Sequence, residues 1–322
     1  SYSLSLSFPL PFPLLYHTIM DKLRKDKPGG ANKKLKKFFE KGASLSSRFK
    51  SLVAYIEKAT EEELAKFFED NFHVIYGVFT DTFSSYENQC KRGRHDAGIL
   101  KDLLTVLRCV LELMKDLLGK GWQNRSIATV LEKVLYIENK HSFRKTAFEL
   151  LMKFLQEVKQ TDLVGAAINL GPLTAKYNSN INLMALPLSA PDKQGILLPS
   201  SGSVTIQESV ELFEILLSFL AQANSPKKDD EIFLFWWDLL KQQYLCVFYP
   251  SIWPEKTGPG KIGFPKCPEE IQAVLITCLQ SLIREKGIME CMFKGDDDKR
   301  LILEIFRQSI ALHVNFDDTI KK

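Results

Sequence analysis

The sequence lacks any sustained alternation of apolar and polar residues at a period of two. That pattern marks half-buried strands, so a sheet-based fold is excluded and an almost wholly helical chain is expected. The compact signatures of chemistry are missing as well. Gly260-Lys261 is followed by Ile262 and has no earlier glycine at the spacing of a phosphate-cradling loop. No serine stands in G-x-S-x-G, and none of His17, His73, His95, His141 and His313 has a Cys or His partner at zinc-site spacing. An enzyme complete in these residues is therefore the least supported class, and no catalytic residue, metal or cofactor is expected. The six cysteines include no C-x-x-C pair. Cys109, Cys246 and Cys278 fall in apolar helical runs, where a reduced thiol behaves as a small hydrophobe. This usage argues against a disulfide framework and fits a reducing, cytoplasmic setting.

Charge of either sign is missing from the first nineteen residues, SYSLSLSFPLPFPLLYHTI. The stretch has no basic n-region, and Pro9, Pro11 and Pro13 break its apolar run, which argues against a signal peptide. It is also too short and too proline-rich to span a bilayer. Its Ser, Leu, Phe and Pro are all encoded by pyrimidine-rich codons, and it reads as translated leader upstream of a start at Met20.

Positive charge then arrives abruptly. Residues 20–50 carry 11 Lys or Arg and 3 Asp or Glu, a net +8 against +4 for the whole chain, so the remainder is −4. A basic head on a slightly acidic body argues against a nucleic-acid partner. Residues 33–41 are expected to form a short basic helix with Leu35, Phe38 and Phe39 on one face. Lys33, Lys34, Lys36 and Lys37, with the two phenylalanines, form the single candidate surface, suited to weak contact with an anionic membrane or an acidic partner. The chain divides on this reading into a leader and basic segment, 1–43, and a helical body, 44–322.

Within the body, residues 122–158 (WQNRSIATVLEKVLYIENKHSFRKTAFELLMKFLQEV) read as a helical hairpin. Ile127, Val130, Leu131, Val134 and Leu135 line one face of a first helix. Asn139 marks its stop, and Ser142 is placed to cap a second helix. There Phe143, Ala147, Phe148, Leu150, Leu151, Phe154, Leu155 and Val158 form a stripe too wide for one partner to cover. Such a hairpin needs neighbours on both sides, as units of a HEAT or armadillo stack do. Thr60 and Glu63 form a capping-box pattern, and a second apolar segment follows at 72–86. Asp96 is placed to cap a helix to Leu118, and the Asn124-Arg125-Ser126 sequon reads as a helix start. Further helices are expected at 161–170, 206–223, 230–249, 268–286 and 300–313. The apolar run at 230–249 is read as a buried helix, since Asp238 and Lys241 interrupt it. Two proline-rich stretches, 171–203 with four prolines and 250–268 with five, read as long irregular loops. The expected fold is all-α, a HEAT/armadillo-like helical-repeat solenoid interrupted by these loops. The abrupt end in NFDDTIKK suggests that more protein follows.

FFEDNFHVIYGVF (67–79), WQNRSIATVLEKVLYIENKHSFRKTAFELLMKFLQ, FLFWWDLLKQQYLCVFYPSIWPE (233–255) and LILEIFRQSIALHV (301–314) together resemble the N-terminal region of the Ral GTPase-activating protein alpha subunits, relatives of tuberin. The matches keep the family's order and spacing over about residues 45–322. The resemblance implies a large cytosolic GTPase activator that pairs with a beta subunit and acts on Ral-type small GTPases. It also implies that catalysis resides in a distant C-terminal domain that supplies an asparagine. No counterpart of that catalytic helix is evident, and Asn71, Asn88, Asn124 and Asn139 all lie in packing or helix-end contexts. The expected function is that of a non-catalytic helical scaffold, truncated before the GTPase-activating domain. The alternative is a helical adaptor unrelated to GTPases.

Overall fold

The computed structural model describes residues 31–40, 42–136, 138–158, 196–200, 206–223, 230–245, 269–283, 295–296 and 298–307. In chain order the helices are α1 (Ala31–Phe39), α2 (Leu45–Ile56), α3 (Glu61–Cys90), α4 (Ala97–Leu113), α5 (Lys115–Gly119), α6 (Asn124–Leu135), α7 (His141–Val158), α8 (Ile206–Ala223), α9 (Asp230–Leu239) and α10 (Glu269–Ile283). A π-helical turn, Leu240–Leu245, continues α9, and residues 298–307 are helical too. Among the described residues no strand forms; a single antiparallel bridge joins Asn139 to Pro199. The all-α expectation holds. The expected helix at 161–170 and the loop at 250–268 lie outside the described residues, as does 171–203 except for 196–200.

The chain resolves into two compact units, one of residues 1–86 and 98–114, the other of 87–97 and 115–322. In the first, Ser44 caps α2 by accepting from the Ser47 N–H at 3.3 Å. The capping box at the start of α3 forms reciprocally: Thr60 N–H donates to Glu63 Oε2 at 3.0 Å and Glu63 N–H to Thr60 Oγ1 at 3.3 Å. The segments expected at 60 and at 72–86 run as one helix with a kink at Asn71 (φ −131°, ψ 15°), whose side-chain amide donates to the Phe67 carbonyl. Phe38, Tyr55 and Phe67 meet edge-on at the centre of this unit, with ring centroids 5.7 and 4.8 Å from Phe67. Such pairs add about 0.5–1.5 kcal/mol each beyond their burial. The single helix expected from Asp96 to Leu118 is instead two, α4 and α5, interrupted at the buried Met114. Gly121 adopts φ +89° just past α5, a conformation that favours glycine at a helix end.

In the second unit the expected hairpin is α6 and α7. All five residues of the α6 stripe are buried. Asn124 opens that helix with its side chain buried and donating to the Leu118 carbonyl at 3.2 Å, so the sequon is a helix start. In α7 the stripe from Ala147 to Val158 is buried as expected. Three details differ. Ser142 is not the cap: α7 begins at His141, and Ser142 sits exposed in its first turn. Phe143 is only half-buried, while Arg144 and Met152 are fully enclosed. The last point has a simple cause: α7 packs on α5, α6 and α8, so more than one stripe of it is covered. Beyond α7, α8 packs on α9 and α10. Trp236 and Trp237 of α9 are fully buried, and no described helix is long and apolar enough to cross a membrane.

Candidate functional site

The basic surface expected from the sequence sits on α1. Lys36 and Lys37 are exposed in its last turn. Lys33 and Lys34 belong to the same helix, but their side chains lie outside the described residues. The two phenylalanines part company. Phe38 is fully buried, with the Arg48 guanidinium 5.7 Å from its ring centroid and donating from Nε to its carbonyl at 2.9 Å. Phe39 is 48% exposed. The apolar component of this surface is thus one phenylalanine.

A second charged cluster escaped the sequence reading because its members are far apart in the chain. It joins the first turns of α7 and α8. Arg144, 1% exposed, donates from Nη2 to Glu208 Oε2 at 3.2 Å. Lys145 Nζ reaches Glu211 Oε2 at 2.8 Å, and His141 Nε2 lies 3.3 Å from the same carboxylate. The sequence signal was the single charge of Arg144 beside the apolar stripe of α7, together with Glu208 and Glu211 three apart on α8. Burial lowers the Arg144 pKa from its ordinary value, opposed by Glu208. The hydrogen bond from Lys145, against the upward push of burial and with help from His141, holds the Glu211 carboxyl below its ordinary range. This cluster fastens two helices. It holds no nucleophile beside a base, and among the described residues no group of His, Cys, Asp or Glu could hold a metal ion.

A third arrangement surrounds Asn139, which is completely buried. Its amide nitrogen donates to the carbonyls of Lys133 and Val134 at 2.8 and 3.1 Å, closing the end of α6. Its Oδ1 accepts from the N–H groups of Leu197 and Leu198, both at 2.9 Å. A helix-stop asparagine is readable in sequence, but a tie to residues nearly sixty positions away is not. Elsewhere Lys241, in the π-helical turn, bonds Asp298 at 2.7 Å and Asp238 at 2.9 Å. Burial opposes its charge, but the two carboxylates outweigh burial and raise the Lys241 pKa above its ordinary value. Burial pushes the Cys278 thiol up to about 12, so it is a neutral thiol at physiological pH rather than a nucleophile. Asn71 and Asn124 serve the backbone as described, and Asn88 is an exposed residue of α3.

Among the described residues this is an all-α protein whose helices are tied by charged clamps and backbone-directed asparagines. The comparisons narrow this class. Residues 22–167 match the family described as the RALGAPA1 N-terminal domain, and the chain resembles the N-terminal region of a Ral GTPase-activating protein alpha subunit, as its motifs predicted. The Ral GTPase-activating protein subunit alpha-1 of Sus scrofa is 24% identical over 254 residues, covering 71% of this chain and 75% of the pig sequence. The Homo sapiens alpha-1 subunit is 24% identical over 254 residues, but the match covers only 12% of its length. A probable Rho GTPase-activating protein of Drosophila melanogaster is 22% identical over 335 residues, covering 84% of this chain and 17% of the fly protein. No solved structure matches the chain.

Proposed function

We propose that this chain is the non-catalytic helical scaffold of a Ral-type small-GTPase activator, and that it serves assembly with a beta subunit or positions a catalytic domain carried elsewhere in the full-length protein. The observation that carries the reading is the similarity to Ral GTPase-activating protein alpha-1 subunits over 71% of the chain. The multi-sided burial of α7 fits the finer architecture, a HEAT/armadillo-like stack in which the α6–α7 hairpin is an internal unit. The resemblance read from the sequence implies a catalytic asparagine carried by a separate domain. The buried Asn124 and Asn139 cannot reach a bound GTPase, because each is spent on backbone groups of its own fold. The setting is cytoplasmic, with the basic face of α1 adding weak contact to anionic lipid.

The test has two readouts. Single-turnover GTP hydrolysis by a Ral-type GTPase is expected to run at its intrinsic rate when the chain is added. An acceleration would overturn the non-catalytic assignment. The chain is also expected to co-purify with the beta subunit; failure to do so would remove the assembly role.

A further inference from the structure

The turn after α3, Lys91-Arg92-Gly93-Arg94-His95, is exposed throughout. Cations at the end of a helix ordinarily serve its unpaired carbonyls. Here the backbone of the turn closes the helix instead. The N–H groups of Arg92 and Arg94 both donate to the Gln89 carbonyl at 3.0 Å, and Gly93 N–H donates to the Cys90 carbonyl at 2.8 Å. Gly93 makes this closure at φ +74°, in the left-handed region that favours glycine. The side chains of Lys91, Arg92 and Arg94 are left over: among the described residues they make no hydrogen bond or ion pair. A fourth cation joins them across the fold. His95 Nδ1 lies 3.1 Å from the Leu197 carbonyl, and Lys140 N–H donates to the Leu198 carbonyl at 2.9 Å. The turns at 91–95 and 138–140 are thus fastened to neighbouring residues of one segment and lie side by side. The Lys140 side chain is exposed and likewise unpaired among the described residues.

We propose that Lys91, Arg92, Arg94 and Lys140 form a docking surface for an acidic, carboxylate-rich segment of a partner protein. Charge complementarity carries the inference. The exposed acids beside these turns are Asp96 and Glu138, so four cations stand against two carboxylates. Like charges held close together repel, and an anionic partner relieves that repulsion. Two of the four are arginines on a turn whose backbone is fixed, and a guanidinium grips a carboxylate through two parallel hydrogen bonds. A protein segment fits better than a lipid surface. The exposed large apolar side chains among the described residues are Phe39, Val74 and Leu303, and none belongs to these turns. The surface therefore offers nothing to insert into a bilayer. The inference goes beyond the scaffold reading, since a synthetic peptide tests it whether or not the chain assembles with a beta subunit.

The test uses the full chain and a fluorescent oligoglutamate peptide as the probe. Anisotropy is expected to show that Arg92→Glu with Arg94→Glu weakens binding at least about tenfold, since two charge-assisted contacts are lost. Lys36→Glu with Lys37→Glu, on α1, is expected to weaken it less than about threefold, since single lysines act as point charges. The reverse order places the contact on the basic head and overturns the proposal. So does affinity that stays level as the Debye length shrinks from about 10 Å at 0.1 M salt to about 3 Å at 1 M. If the arginine variant does not fold, the wild-type chain carries the test. Carbodiimide coupling of the bound peptide is expected to form amides at Lys91 and Lys140, read by mass spectrometry. Coupling confined to lysines elsewhere overturns the proposal. No peptide binding, together with recovery on phosphatidylserine vesicles that Arg92→Glu and Arg94→Glu abolish, would make the occupant a lipid surface and overturn it as well.

Discussion

Arg144 and Lys145 are adjacent, yet they ask different things of their partners. Arg144 is 1% exposed and its guanidinium pairs with Glu208, whereas the Lys145 side chain is 40% exposed. Removing one partner of a buried pair strands the other charge and costs about 3–5 kcal/mol. Removing one partner of an exposed pair costs about 0–1 kcal/mol. Glu208→Gln is therefore expected to lower chemical-denaturation stability by about 3 kcal/mol and Glu211→Gln by less than about 1. Equal losses would mean that Glu208 does not neutralise Arg144. The same pair sets an acid response. The Glu211 carboxyl is held below its ordinary value, so its contribution is fully present above the unfolded-state pKa, about 4.3, and disappears as pH falls through the lower folded value. Melting curves of the wild type and Glu211→Gln are expected to differ at neutral pH and to converge below about pH 4. A gap that persists there would assign the effect to packing rather than to charge.

At the scale of helices, periodicity carried the argument well where one face is buried and less well where several are. The stripe of α6 was legible residue by residue because Ile127, Val130, Leu131, Val134 and Leu135 repeat at helical spacing and are all buried. In α7 the same rule found Phe148 and Leu151 but placed Phe143 too deep and missed Arg144 and Met152, because α5, α6 and α8 all cover that helix. Local chemistry was legible in the same selective way. Thr60 and Glu63 are three apart and cap reciprocally, whereas Ser142 has the right residue type one turn position too late. The charged cluster and the Asn139 tie were not legible, since each joins segments roughly sixty to seventy residues apart. Phe148 and Leu151 remain the clearest measure of the hairpin. Each is fully enclosed, and truncation to alanine is expected to cost about 2–5 kcal/mol as a core cavity. Urea unfolding checks the size of that loss. A well-folded Phe148→Ala chain that no longer bound the proposed beta-subunit partner would instead make the hairpin itself a contact surface.

For the whole molecule the governing feature is the uneven charge, +8 over residues 20–50 against −4 elsewhere. A net +4 chain with charge spread evenly would bind anionic surfaces weakly, whereas a basic segment concentrates the attraction in one stretch of sequence. The proposed contact has a modest apolar component, since Phe38 is committed to the core and Phe39 is the one exposed large apolar side chain among the described residues of α1. One exposed phenylalanine contributes no more than about 1.5–3 kcal/mol even if fully buried in lipid. Each nearby lysine adds about 1 kcal/mol at an anionic surface and fades within a Debye length. Electrostatics should therefore outweigh insertion. Flotation with vesicles of phosphatidylserine and phosphatidylcholine is expected to recover the chain at low salt, with recovery falling several-fold as the Debye length shrinks from about 10 Å at 0.1 M salt to about 3 Å at 1 M. Lys36→Glu with Lys37→Glu is expected to abolish recovery while leaving helicity intact, because both side chains are exposed; Phe39→Ala should weaken it only slightly. Binding that ignores salt but vanishes with Phe39→Ala would make the contact apolar, and equal recovery on neutral vesicles would remove the basic helix from membrane association altogether.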